Sequence, residues 1–338
     1  MTGKRLTGLL LLILGTACYG IALLFGQRAE NGLGLIQVYL EQAVDSVQAE
    51  QIRNTEAETE APIRFCFWGE NGEETVSCPV NGAIAKGNVT LLAGYPALMG
   101  AEGLSWQNGC LLDGGTARAL FGTERCGGQR ILVNGNEYPA LGTVSGPLSG
   151  ILRLAEKEDG TVLNRCVLAL PPVQAKVQGE AFLLRHGLPG RVLDNFPLWA
   201  VVGNLLLLFP GGLMLTLWSR LRKGWRGLTF EGVRTGQQGI LLLKTILSFC
   251  LTVGSIWLLG RKLVIPGDMI PSRWSDFSFW GNWWQGQKEN FTLLFSRAPG
   301  NGQLQMMGNM VKSMVASTTA FLLLLWAIGR ADHENTAD

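Results

Sequence analysis

Side chains that commonly do chemistry are scarce in this chain, and their spacing excludes most of it. Only two histidines occur, His186 and His333. A Ser-His-Asp triad needs an imidazole as its base, and transition-metal centres usually gather several N and S ligands. Neither is expected, and both histidines read as structural. Asp113-Gly114-Gly115 has the composition of an anion loop, but no G-x-x-x-x-G-K-[ST] run occurs anywhere. The chain therefore carries no P-loop ATPase of its own. Asp113 is better placed to cap a helix by accepting from an otherwise unpaired backbone N–H. No catalytic residue, metal ligand or cofactor contact is assigned, and the chain is not expected to be an enzyme. A membrane enzyme would need a polar cluster that the sequence does not display.

Seven cysteines remain. Cys18 and Cys250 lie in apolar segments, and Cys66, Cys78, Cys110, Cys126 and Cys166 lie in a long polar stretch. Outside the cytoplasm disulfides are permitted. Cys66 with Cys78 across a hairpin, and Cys110 with Cys126, are then the candidate bridges, with one thiol left over. Buried free thiols are the competing reading. A second concentration of chemistry is aromatic: Trp274, Phe277, Trp280 (or Gly281) and Trp284 recur at helical spacing within WSDFSFWGNWW. Tryptophan favours the bilayer interface because its ring is amphipathic, so this stripe reads as an interfacial helix in contact with membrane lipid. A substrate-binding aromatic platform is the alternative.

The elements that must position these residues are largely apolar. The 338 residues are 47% hydrophobic and only 16% charged, where a soluble domain carries about 25%. A net charge of +2 gives no argument for nucleic acid, and no zinc-finger, helix-turn-helix or RNA-binding signature is present. Residues 6–25 form an uncharged run long enough to cross roughly 30 Å of hydrocarbon. Lys4 and Arg5 before it keep the N-terminus cytoplasmic, and no small-x-small cleavage site follows. Three further spans are expected at 196–218, 240–259 and 310–330. Arg220, Arg222, Lys223 and Arg226 follow the second span at once and mark the cytoplasmic side. No charge sits mid-span, which argues against an ion or proton relay.

The expected layout is membrane α-helical, with four transmembrane helices and one α+β extracytoplasmic domain inserted between helices 1 and 2. Helix 1 occupies residues 1–28, the outer domain 29–195, helix 2 196–218, a cytoplasmic loop 219–239, helix 3 240–259, an outer Trp-rich loop 260–309, helix 4 310–330 and a cytoplasmic tail 331–338. Both termini are then inside. Within the domain, apolar residues from Leu33 to Val47 recur at helical spacing and predict a long amphipathic helix over 29–51. The polar run 53–62, RNTEAETEAP, reads as a linker. Residues 64–68 and 75–78 read as a hairpin about Gly69-Glu70-Asn71-Gly72. Residues 151–155 and 162–170 are expected strands, and 173–184 an expected helix.

The most legible unit is 110–144, CLLDGGTARALFGTERCGGQRILVNGNEYPALGTV. Cys110-Leu111-Leu112 is a short strand, and Asp113 is a helix cap. Ala117, Leu120 and Phe121 form one apolar stripe that Gly122 ends. Residues 130–133 are a strand, Asn134-Gly135 is the dipeptide of a type I′ hairpin turn, and 137–144 are the return strand.

The order of A-x-x-LFG helix (Ala117 to Gly122), apolar strand (Gly128 to Val133), N-G turn and Y-x-A-x-G-x-V strand (Tyr138 to Val144) resembles the extracytoplasmic core domain of MacB-like and FtsX-like ABC transporter permeases. The resemblance implies a membrane subunit powered by a separate cytoplasmic ATP-binding subunit, working as a homodimer or paired permease. It also implies an ATPase contact between the second and third spans, where Leu228, Phe230 and Val233 are the candidate docking residues. A basic segment touching only lipid phosphates is the simpler reading of that loop. The alternative function is a non-transporting membrane sensor or assembly factor with an extracellular binding domain.

Overall fold

The computed structural model describes residues 3–105, 108–144, 150–160, 163–226, 243, 246–250, 252–254, 263, 270–271, 273, 277–296 and 301–335. The chain divides into two compact units, one of residues 1–30, 197–272 and 306–338, the other of 31–196 and 273–305.

In the second unit the elements run β1 (Leu35–Val44), α2 (Ser46–Ala57), β2 (Arg64–Ser77), β3 (Ile84–Gly94), β4 (Cys110–Asp113), α3 (Gly114–Phe121), β5 (Arg130–Val133), β6 (Asn136–Val144), β7 (Ile151–Leu154), β8 (Leu163–Ala169), α4 (Ala175–Arg185) and β9 (Gly190–Leu193), after α1 (Gly3–Glu30) of the first unit. The sheet order is β3-β7-β4-β6-β5-β2-β8-β1-β9, with β3 also paired to β2. β2 is long enough to serve two partners on one edge. Arg64 to Trp68 pair with β8 and Val76 and Ser77 with β5, while the other edge pairs with β3. Strands β2, β3, β7, β4, β6 and β5 therefore close a hydrogen-bonded ring, from which β8, β1 and β9 extend.

Alternate residues of each strand enter two apolar clusters, because successive side chains in a strand point to opposite faces. Phe65, Phe67, Val38, Leu40, Cys166 and Leu168 join one, which α2, α3 and α4 cover with Ile52, Leu120 and Phe182. Cys66, Trp68, Leu92, Leu111, Leu152 and Val167 join the other, covered by Ala101 and Leu104.

The 110–144 reading agrees with the fold. Asp113 caps α3, its carboxylate accepting from Thr116 N–H at 2.6 Å. Gly122 closes the helix in the left-handed region at φ 72°. Asn134 and Gly135 take φ 48° and 85° between β5 and β6, the two positive values a type I′ turn requires. The strands expected at 151–155 and 162–170 and the helix expected at 173–184 are β7, β8 and α4.

Three expectations are corrected. Residues 35–44 are a strand, not part of a long helix. Asn31 to Gly34 turn the chain, and β1 then lies between β8 and β9 with apolar residues on both faces, which imitates helical spacing. The first half of the proposed linker, residues 53–57, is instead the end of α2, a helix capped by Asp45 through Gln48 N–H at 2.7 Å, and only 58–62 lead on towards β2. The proposed hairpin at 64–78 is one continuous strand. Gly69 to Gly72 mark a bulge, where the pairing steps from Glu70↔Thr90 to Glu73↔Asn88, and the turn falls at Cys78 to Ala83.

Among the described residues three helices are long and apolar enough to cross a membrane: Leu6–Glu30, Phe196–Ser219 and Leu304–Arg330. The second is built from α5 (Phe196–Leu206) and α6 (Leu208–Arg226). It breaks at Leu207 because Pro210 has no N–H to offer the Leu206 carbonyl and its ring crowds that turn. α7 (Ser278–Ser296) and α8 (Asn301–Asn335) follow further along the chain. The span expected at 240–259 falls largely outside the described residues.

Candidate functional site

The three described spans pack through small residues and hydroxyls. Ser313 Oγ donates to Ala22 C=O at 2.8 Å, and Gly8 faces Ala327 C=O. Ala22 to Gly8 and Ser313 to Ala327 are both 14-residue steps in opposite senses, so α1 and α8 run antiparallel over roughly 21 Å at 1.5 Å per residue. A Cβ on Gly15 would lie 3.3 Å from Phe209 and 3.4 Å from Ala320 C=O; one on Gly26 would lie 3.2 Å from Leu206. Ser317 Oγ donates to Leu205 C=O at 2.7 Å, and Tyr19 stacks on Phe209 at 4.9 Å. Lipid tails give apolar helices no hydrophobic reason to associate, so close backbone approach and interhelical hydrogen bonds must hold such a bundle. Leu10, Ile13, Leu24, Leu215, Val315 and Leu322 stay exposed on the helices, as lipid-facing side chains do.

In the second unit, one row of paired residues crosses four strands: Trp68 on β2, Arg165 on β8, Tyr39 on β1 and Arg191 on β9. Directly paired residues share a face. The Arg165 guanidinium lies 4.4 Å over the Trp68 ring and 5.9 Å over Tyr39, with Glu70 3.7 Å away. At the end of the row Arg191 shares a cavity of about 780 Å³ with Gly281, Trp284, Gln285, Lys288, Glu289 and Thr292. Those six positions of α7 follow i, i+3, i+4, i+7, i+8, i+11, one face of a helix.

Of the residues singled out from sequence, Phe277 immediately precedes α7, and Trp280 and Trp284 lie on it. They are 88%, 47% and 66% exposed. Trp274 lies outside the described residues, as do Leu228, Phe230 and Val233. All seven cysteines are free. Cys66 lies near one end of β2 and Cys78 just past the other, separated by twelve positions, roughly 35 to 40 Å of strand. A disulfide needs Cα atoms within about 7 Å, so the hairpin bridge is excluded by the strand itself. Cys110 and Cys126 are both buried in the helix-covered core and carry no bond. Burial pushes the Cys66 and Cys110 thiols up to about 12, and Cys166 well above its ordinary value. Protonated, buried thiols are neither nucleophiles nor ready ligands. No cluster of metal-ligating side chains occurs among the described residues.

Two buried charged networks had no sequence signal. Glu56 on α2 receives Arg185 at 2.5 Å and His186 at 2.8 Å on Oε1, and Ile63 N–H at 2.9 Å on Oε2. Burial alone would raise its pKa, but those three donors outweigh it and hold the carboxyl below its ordinary value. Arg153 on β7 makes a bidentate pair with Asp159 a few residues beyond the strand, one arm of it 2.7 Å. The partners are 129 and 6 positions apart respectively, and neither spacing belongs to a recognisable motif.

No family model and no curated protein matches the chain. Solved structures similar to it include transporter and permease domains. The periplasmic region of MacB from Actinobacillus actinomycetemcomitans matches 48% of this chain and 89% of its own at 10% identity, with a TM-score of 0.38. The extracellular domain of the ABC-type transporter YknZ from Gram-positive bacteria matches 47% and 100% at 12% identity and TM-score 0.35. A domain described as that of a permease protein from Porphyromonas gingivalis matches 48% and 91% at 13% identity and TM-score 0.35. At these scores the likeness decides nothing about function.

Proposed function

We propose that the chain is the membrane subunit of a MacB-like or FtsX-like ABC transporter or mechanotransmission complex, powered by a separate cytoplasmic ATP-binding subunit. It crosses the membrane four times, the third span at 240–259, with both termini cytoplasmic and residues 29–195 outside. It works as a homodimer or paired permease.

One observation carries this reading. β1 begins five positions after α1 ends, β9 ends three positions before α5 begins, and β1 and β9 are hydrogen-bonded neighbours over Gln37↔Leu193 to Leu40↔Gly190. Two spans thus enter one domain through adjacent strands of a single ladder, so any relative motion of the spans loads that ladder directly. A domain that only needed anchoring would require one such connection. The basic residues before the first span and after the second support the orientation. Leu228, Phe230 and Val233 are the apolar residues of the cytoplasmic loop that dock on the ATPase.

The test is recovery of an ATP-binding subunit with the tagged full chain from native membranes. Leu228→Glu with Phe230→Glu removes it while leaving the chain inserted. Unchanged recovery removes the proposed contact, and absence of any ATPase from the parent makes a non-transporting sensor or assembly factor the better account.

A further inference from the structure

We propose that the cavity between β9 and α7 is a headgroup site for an anionic phospholipid. The Arg191 guanidinium and Lys288 ammonium hold the phosphate, and Trp284 lies along the glycerol and upper acyl carbons. This rests on the membrane reading above and adds a ligand to it.

The cavity wall carries two cations and one carboxylate, Glu289, a net charge of +1 that a lipid with one phosphate charge neutralises. Neither cation is held in an ion pair among the described residues, so both charges are available to a ligand. Glu289 accepts from hydroxyl groups of the headgroup rather than from its phosphate. A free phosphate ion would satisfy the cations but leave the aromatic groups unexplained. Trp284, one turn before Lys288, is 66% exposed, and Phe277 and Trp280 continue its stripe at 88% and 47%. A row of exposed rings ending in a cation is the lengthwise polarity of an amphiphile: apolar body, then anionic head.

Chain reach is consistent with a lipid source. Arg191 is five positions before Phe196, the first residue of the second span, so it cannot be further than roughly 18 Å from it. The sheet supports Arg191 from behind. Its cross-strand neighbour is Tyr39, whose ring Arg165 approaches from the other side at 5.9 Å.

The experiment uses the full chain in vesicles of phosphatidylcholine containing a minor fraction of phosphatidylglycerol, with bromine on the acyl chains of one lipid or the other. Quenching at Trp284 is the difference between the parent and Trp284→Phe. Brominated phosphatidylglycerol is expected to quench Trp284 far more per mole than brominated phosphatidylcholine. That preference should fall roughly fivefold in Arg191→Gln or Lys288→Gln and about 25-fold in the double variant, since each basic residue near a bilayer contributes a factor of that order. Lys288→Arg restores it. Equal quenching by the two lipids, or a preference unchanged in the double variant, overturns the headgroup site and leaves the interfacial helix standing. Quenching by neither lipid overturns both. Loss of the preference on adding millimolar inorganic phosphate overturns the lipid source, assigning the cations to the free ion.

Discussion

Glu56→Gln tests how the helix-covered half of the domain is held. The carboxylate side chain is 3% exposed and takes three donors from two places in the chain, Arg185 with His186 at the end of α4 and Ile63 after α2. Glutamine offers one oxygen and one NH₂ group. If the oxygen serves Arg185 and His186, the NH₂ meets the Ile63 N–H donor to donor, and a buried donor left unpaired costs about 1–3 kcal/mol. Replacing charge-assisted bonds by neutral ones adds about 1 kcal/mol, and the Arg185 share is small because its side chain is 40% exposed. The sum is about 2–4 kcal/mol, or roughly 30- to 900-fold in the opening equilibrium at 1.36 kcal/mol per tenfold. The buried thiols supply the assay. Cys66 and Cys166 are 0% and 1% exposed, so a disulfide reagent active in acid, such as 4,4′-dithiodipyridine, labels them only when the domain opens. Residue-resolved labelling of the full chain should speed up by that factor at pH 7. The pH dependence has a definite sign. Glu56 has a folded pKa below its unfolded one, so its contribution is fully present above the unfolded value near 4.3 and is lost as pH falls through the folded value. The gap between parent and variant must therefore shrink below about pH 4. An acceleration under about threefold at pH 7, or a gap as wide at pH 3 as at pH 7, would refute the reasoning.

Gly15→Leu should lower the thermal midpoint of the detergent-solubilised chain by several degrees, because its Cβ would already press on Phe209 and Ala320 at 3.3 and 3.4 Å; Gly20→Leu, with nothing within 4 Å, should not. Equal midpoints would remove the packed-bundle account. Asp159→Asn should destabilise the domain by about 3 kcal/mol by stranding Arg153, which is 6% exposed. Arg153→Met combined with Asp159→Leu should be milder than the single change, measured by the same thiol labelling, and a double variant worse than both singles would show that the pair is more than mutual charge satisfaction.

Where local chemistry decided the structure, the sequence was sufficient. Asp113, Gly122 and the Asn134-Gly135 pair each impose a backbone geometry within three or four residues, and the 110–144 unit folds accordingly. Where tertiary partners decided it, periodicity misled. β1 carries apolar residues on both faces, so the buried Ile36, Val38 and Leu40 on one side and the buried Tyr39 and exposed Leu35 on the other blur the period of two. The Gly69 to Gly72 stretch has turn composition but is carried through the strand as a bulge, paired to β3 at Glu70 and Glu73 on either side. The exposed aromatic stripe of α7 was legible, because helical spacing and ring chemistry are both local. Its cationic partner was not. Nothing in the sequence brings Arg191 to Lys288, and only the pairing of β9 with β1 and the position of α7 do so.

The same pairing sets how firmly each strand of the β1–β9 ladder is held. β1 is gripped on both edges, by β8 from Leu35↔Ala169 to Tyr39↔Arg165 and by β9, whereas β9 is an edge strand with four paired positions. The ends nearest in sequence to the apolar helices, Leu35 and Leu193, lie at the same end of the ladder. A pull that separated those ends would open the β1–β9 ladder one pair at a time, which needs far less force than sliding all pairs at once. The more weakly paired of the two strands is β9, which packs on α4 through contacts such as Val192 against Gly179. Because β9 also carries Arg191, any peeling of it from β1 would draw that cation away from Lys288.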